Sequence, residues 1–172
     1  MGLEDQLRIL RLFHILGAVT VAGAVIFNGL VILPALRRIP PAQATVVAQR
    51  VGTGLMYLGW AGLIVQGITG IARMERMGIL RPFFTFEMFD TAYGRWLGLM
   101  VLAWLLWLVA AAIQTFWFRP LLLRRMPYTT TLRDLERRRA TLERISTWQE
   151  RLSYATIVLA LLALLAGGLI HA

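Results

Sequence analysis

Long stretches without charge alternate with clusters of arginine along this chain. Charge-free windows lie between arginines at about 12–36, 51–72 and 96–118, and a last one covers 152–171. A helix needs about 20 apolar residues to cross a hydrocarbon core of about 30 Å. The pattern therefore predicts one domain over residues 1–172, built from four transmembrane helices.

Within the windows, helical spacing sorts residues into faces. At about 100° per residue, His14, Gly17, Ala18, Val21, Val25 and Asn28 share a stripe of the first helix. Gly59, Gly62, Gln66 and Gly70 do so on the second, and Met100, Trp107, Ala111 and Gln114 on the third. Ala160, Leu164, Gly167 and His171 align on the fourth. Lipid offers small and polar residues neither close packing nor hydrogen bonds, so these stripes are expected to face other helices. Asn28, Gln66 and Gln114 are expected to be interhelical hydrogen-bond partners.

The longest connection, from Arg119 to Arg151, has a helical pattern of its own. Thr131 followed by Asp134 resembles a capping box, and Leu132, Leu135, Leu142, Ile145, Trp148 and Leu152 then recur at helical spacing. An amphipathic cytoplasmic helix, lying between the third and fourth crossings and leading into the fourth, is predicted, with "RDLERRRATLER" turned toward lipid headgroups. The connection "MERMGILRPFFTFEMFDTAYGR" mixes aromatics with acids and is expected to lie on the membrane surface as a short lid.

Composition agrees with the windows. The chain is 58% hydrophobic and only 16% charged, whereas a soluble domain carries about 25% charged residues, and its mean hydropathy is +0.66. There is no cysteine, which excludes disulfides, iron–sulfur clusters and zinc–thiolate sites. A small trio at Ala22, Gly23 and Ala24 imitates a signal-peptide cleavage site, but the apolar run continues past it, so a retained first crossing is expected.

All 18 basic residues are arginine. An even number of crossings puts both termini on one side, and that side carries Arg8, Arg11, Arg73, Arg76, Arg81 and Arg95, a total of six. The other twelve arginines lie on the opposite side. The positive-inside rule then places both termini outside a prokaryotic cytoplasmic membrane. The net charge of +9 reads as a topology signal and as attraction of the arginine-rich loop to anionic lipid headgroups, not as a nucleic-acid footprint.

Candidate chemistry gathers in the outer half. His14 and His171 lie there, and the outer ends of the other helices contribute Met74, Met77, Tyr93, Trp96 and Met100. Imidazole and thioether are ligands that Cu(I) and haem iron accept. An ionisable residue within a crossing is by default a functional hypothesis, although an imidazole bonded to a carbonyl is the simpler reading.

The first helix, "LFHILGAVTVAGAVIFNGLVILPALRR", resembles the opening of the CopD-like membrane proteins, in which a histidine precedes a small-residue stretch. "TAYGRWLGLM" is similar to that family's "YGRLLLLK" pattern, and "GITGIARM" to its "LTGL" helix end. The same four-helix plan belongs to the HemJ-type protoporphyrinogen oxidases, which bind haem b through the first-helix histidine. The resemblance implies that His14 is a haem or copper ligand. Met100 stands where both groups usually carry a lysine, Thr20 where a tryptophan is common, and Ala35 where the HemJ-type enzymes have an arginine. These departures count against porphyrinogen oxidation, while Met100 adds a soft ligand opposite His14.

The sequence thus leads to an all-α integral membrane protein, a four-helix bundle of the CopD-like kind, that handles haem b or copper; a HemJ-like protoporphyrinogen oxidase stands third, weakened by the missing lysine and by the lack of a paired acid and base within any crossing. In the haem version His14 is an axial ligand, Met100 or His171 the second, and Arg11 pairs a propionate. In the copper version His14 joins Met74, Met77 and Met100. The alternative is a structural subunit of a larger respiratory or transport complex, with the glycine faces docking helices and His14 a satisfied core residue. Neighbouring helices from another copy, in a homo-oligomer, would be a further way to complete the site.

Overall fold

The computed structural model describes residues 2–123 and 131–169. Helix α1 (Leu3–Phe27) passes through a π-helical turn, Asn28–Ile32, into α2 (Leu33–Leu36). Helix α3 (Pro41–Arg76) returns antiparallel to it. After α4 (Leu80–Phe84) and a 3-10 turn (Glu87–Asp90) come α5 (Ala92–Ala112), a second π turn (Ile113–Phe118) and α6 (Arg119–Leu123). Helix α7 (Leu132–Leu169) closes the bundle. Among the described residues there is no strand.

Four helical stretches are long and apolar enough to cross a membrane: Leu3–Leu36, Val46–Arg76, Ala92–Leu121 and Glu143–Gly168. Each overruns the charge-free window that marks it. Arginine is a good helix former, so the charges bound the apolar segment without ending the helix. Residues 132–151, the segment read as leading into the fourth crossing, are the first half of α7 and continue unbroken into the apolar half. Its start is capped as the sequence indicates, with Asp134 N–H donating to Thr131 Oγ1 at 3.3 Å and Thr131 N–H to an Asp134 carboxylate oxygen at 3.3 Å.

Helices α1 and α3 form one close pair and α5 and α7 the other. The first pair meets at glycines: a Cβ on Gly62 would stand 2.5 Å from Val21 Cγ2, and one on Gly17 would stand 3.0 Å from the Gly62 carbonyl oxygen. Val21, Ala22, Leu63, Trp107 and Ala160 join all four long helices in one core cluster. Trp104 lies over Gly67 and donates its indole N–H to the Leu63 carbonyl at 3.2 Å. Apolar side chains such as Leu12, Val19, Ile68, Leu102 and Val109 remain exposed around the outside.

Two expected features of the faces are not found. Gly59 has nothing within 4 Å of where a Cβ would stand, and Leu164 is exposed, whereas Ser153, Thr156, Ala160 and Ala166 are buried. Small side chains let a neighbouring helix approach, so α7 turns its alanines inward and leaves Leu164 at the edge. Nor do the side chains of Asn28, Gln66 and Gln114 make interhelical hydrogen bonds among the described residues. Side chains that do bond between helices include Trp104, Trp60, which donates to Thr115 Oγ1 at 3.0 Å, Arg119, which reaches Thr53 Oγ1 at 2.9 Å, and His14.

Both π turns come two residues before a proline, Pro34 and Pro120. Proline has no N–H for the carbonyl four residues back, and its ring crowds that carbonyl. Those carbonyls belong to Leu30 and Phe116, inside the widened turns. The wider register, with Leu33 N–H bonded to Asn28 and Arg119 N–H bonded to Gln114, gives the ring room.

The turns also expose a repeat. "NGLVILPALRR" and "QTFWFRPLLLRR" share an amide, a proline six residues on and an arginine pair. Asn28 and Gln114, Pro34 and Pro120, and His14 and Met100 are each separated by 86 residues. The chain is two helix pairs of the same plan.

The connection between the pairs runs through α4 and the 3-10 turn. It folds onto the start of α5, where Met88 and Phe89 occupy the space that side chains at Gly94 and Gly98 would need. Thr91 caps α5 by accepting from Gly94 N–H at 3.0 Å.

Candidate functional site

His14 lies on α1 facing α3, near the end of the bundle that holds the N-terminus. Its Nδ1 is 3.1 Å from the Gln66 carbonyl oxygen and 3.0 Å from Thr69 Oγ1. A carbonyl only accepts, and Thr69 spends its own hydroxyl proton on the Val65 carbonyl at 2.6 Å. Both neighbours therefore accept, and the imidazole proton sits on Nδ1. Nε2 keeps its lone pair and forms no hydrogen bond with any described residue.

Space for the ring comes from α3. A Cβ at Gly70 would stand 3.3 Å from His14 Cε1, so the glycine lets the imidazole lie close to the helix backbone. Residues 66, 69, 70 and 73 share one face of α3, and Gln66 and Thr69 are buried, 8% and 7% exposed. Two buried side-chain atoms have no hydrogen-bond partner among the described residues, Gln66 Oε1 and Arg73 Nε, and they lie on this face to either side of the His14 contact. An unpaired buried polar group costs about 1–3 kcal/mol, so the region holds an unmet acceptor and an unmet donor beside a free imidazole nitrogen.

The other candidate residues are dispersed. Met100, half-buried on α5, faces α7, with its sulfur 3.8 Å from where a Cβ on Gly167 would stand. Met74 is buried on α3, whereas Met77, just beyond its end, is 44% exposed. Arg11 is exposed. His171 lies outside the described residues. Among the described residues no three histidine or acidic side chains gather as a metal cluster.

His14 and Met100 stand at equivalent positions of the two repeats, and each looks onto a glycine of the partner helix, Gly70 and Gly167. The helical-face argument finds His14 but misses Thr69 and Arg73, which complete its surroundings. A threonine and an arginine one turn apart, on the same face as Gln66, were the available signal.

No family model, no curated protein and no solved structure matches this chain.

Proposed function

We propose that this chain is a CopD-like integral membrane protein that binds haem b, or copper, through His14 Nε2 in the outer half of the bundle. The observation that carries the reading is the pair of acceptors at His14 Nδ1, the Gln66 carbonyl and Thr69 Oγ1. A metal-binding histidine characteristically donates its other ring N–H to a carbonyl or hydroxyl, which orients the ring and raises its basicity. His14 makes that arrangement with Gln66 and Thr69. Four apolar helices with apolar surfaces suit a hydrocarbon environment, and the arginine asymmetry favours termini on the outer side.

The residues present fit haem better than a bare ion. The orphaned Gln66 and Arg73 atoms offer polar partners beyond one metal–ligand bond. Haem iron, when bound, supplies a centre that takes and gives one electron. The chain's own part is to present Nε2, to hold the ring with Thr69 and Gln66, and to keep water from the buried face.

A second reading, an accessory subunit, is favoured by the open space beside Gly23, Gly52 and Gly59, which suits docking of a further helix. Absorption spectra and metal content of protein purified from membranes separate the two. The metal reading expects a Soret band or stoichiometric copper that disappears in His14→Ala, with His14→Met shifting the spectrum. Wild-type protein without either cofactor, and folded, would leave the accessory reading.

A further inference from the structure

Arg73 carries a charge that no described residue pairs. It sits three residues before the end of α3, half-buried, and its Nε is buried without an acceptor. The charged or titratable groups that act on it are Tyr93 and Arg11, and its own charge acts on His14. No described carboxylate lies within ion-pair distance of Arg73. The half-buried Arg73 guanidinium thus has no described counter-charge, on the face of α3 that holds Gln66 and Thr69 and in a segment apolar enough to cross a membrane.

The second orphan, Gln66 Oε1, belongs to a side chain that is 8% exposed. From 66 to 73 is seven residues, about 10 Å along the helix, with the imidazole at the level of 66–70. An occupant that meets both Nε2 and Arg73 must reach about one turn, ~5 Å, along α3. A bare metal ion lacks both this length and the negative charge. A flat metal chelate with carboxylate arms has both, and a guanidinium pairs a carboxylate through two parallel hydrogen bonds.

We propose that Arg73 holds a carboxylate of the ligand whose metal His14 coordinates, so the occupant is a carboxylate-bearing metal macrocycle and not a free copper ion. The proposal rests on the reading of His14 as a metal ligand. Arg73 is a positioning residue: it touches the ligand's periphery, away from the metal. Arg11, exposed on the neighbouring helix, supplies added positive field.

The test titrates haem b and its dimethyl ester, in which both carboxylates are uncharged, into apo protein in a neutral detergent without phospholipid. Wild type is expected to bind the acid roughly tenfold or more tightly than the ester, the size of a charged hydrogen-bond pair. Arg73→Gln should bring the acid down to the affinity of the ester while the Soret position stays, and Arg73→Lys should retain part of the preference. Arg76→Gln is the control for a nearby arginine, since Arg76 is exposed and bonded to Gln6, and it should change nothing. Melting by circular dichroism establishes that each variant is folded. Equal binding of acid and ester in wild type, or a preference that survives Arg73→Gln, would overturn the proposal and leave the His14 reading intact. Loss of the preference on adding phosphatidylglycerol, with the Soret band unchanged, would give Arg73 to a lipid phosphate and overturn it too. Binding of neither porphyrin, or binding unaffected by His14→Ala, would overturn both.

Discussion

At the scale of single residues, the account turns on one proton. With Nδ1 donating to a carbonyl and a hydroxyl, His14 has one nitrogen committed to α3 and one free. Thr69→Val keeps the shape of the side chain but removes the hydroxyl acceptor, leaving the Gln66 carbonyl as the sole orienting group. Cofactor affinity is expected to fall by roughly tenfold or more, the usual cost of losing an outer-shell partner, with the helix content unchanged by circular dichroism. An unaltered binding curve would show that Thr69 does not orient the ring. That His14 faces inward was legible from its spacing with Gly17 and Val21. Its partners were not, because they lie more than 50 residues away on α3 and no periodicity reports which turn of one helix meets which turn of another.

At the scale of elements, glycine placement decides where helices touch. A helical wheel assigns Gly59 and Gly62 to one face, yet only Gly62 meets a neighbour, at Val21. Gly62→Leu is expected to separate α1 from α3 and cost about 1–3 kcal/mol, as overpacking does. Gly59→Ala fills open space and should stabilise by up to ~1 kcal/mol through helix propensity. Melting temperatures of the two variants in one detergent should therefore move in opposite directions; parallel shifts would place the contact elsewhere. The Thr131–Asp134 cap was readable because it is local. The π turns were not singled out, although Pro34 and Pro120 mark them. The wheel assumes a uniform α register, which the widened turns interrupt.

At the scale of the molecule, the number of long apolar helices was legible from the charge-free windows, since the cost of carrying arginine through hydrocarbon writes the boundaries into composition. The repeat of the two helix pairs was present in the sequence but hidden by its apolar filler, with the amide, the proline and the arginine pair as its visible marks. The twelve-to-six arginine split leads to an expectation for orientation. A tag on either terminus should be cut by protease added to the outside of spheroplasts and protected in inverted vesicles. The reverse pattern would move His14 to the cytoplasmic half and contradict the proposed outer site.

The central claim is that the His14 imidazole is itself the bond to the cofactor. His14→Gly leaves a hole the size of the ring beside Gly70, and free imidazole fits that hole. The most direct measurement is the Soret absorbance of His14→Gly, purified and titrated with haem, before and after millimolar imidazole is added. The account expects little bound haem without imidazole and recovery of a wild-type-like spectrum with it, while wild type is unaffected. Full binding by His14→Gly with no imidazole present would contradict the account.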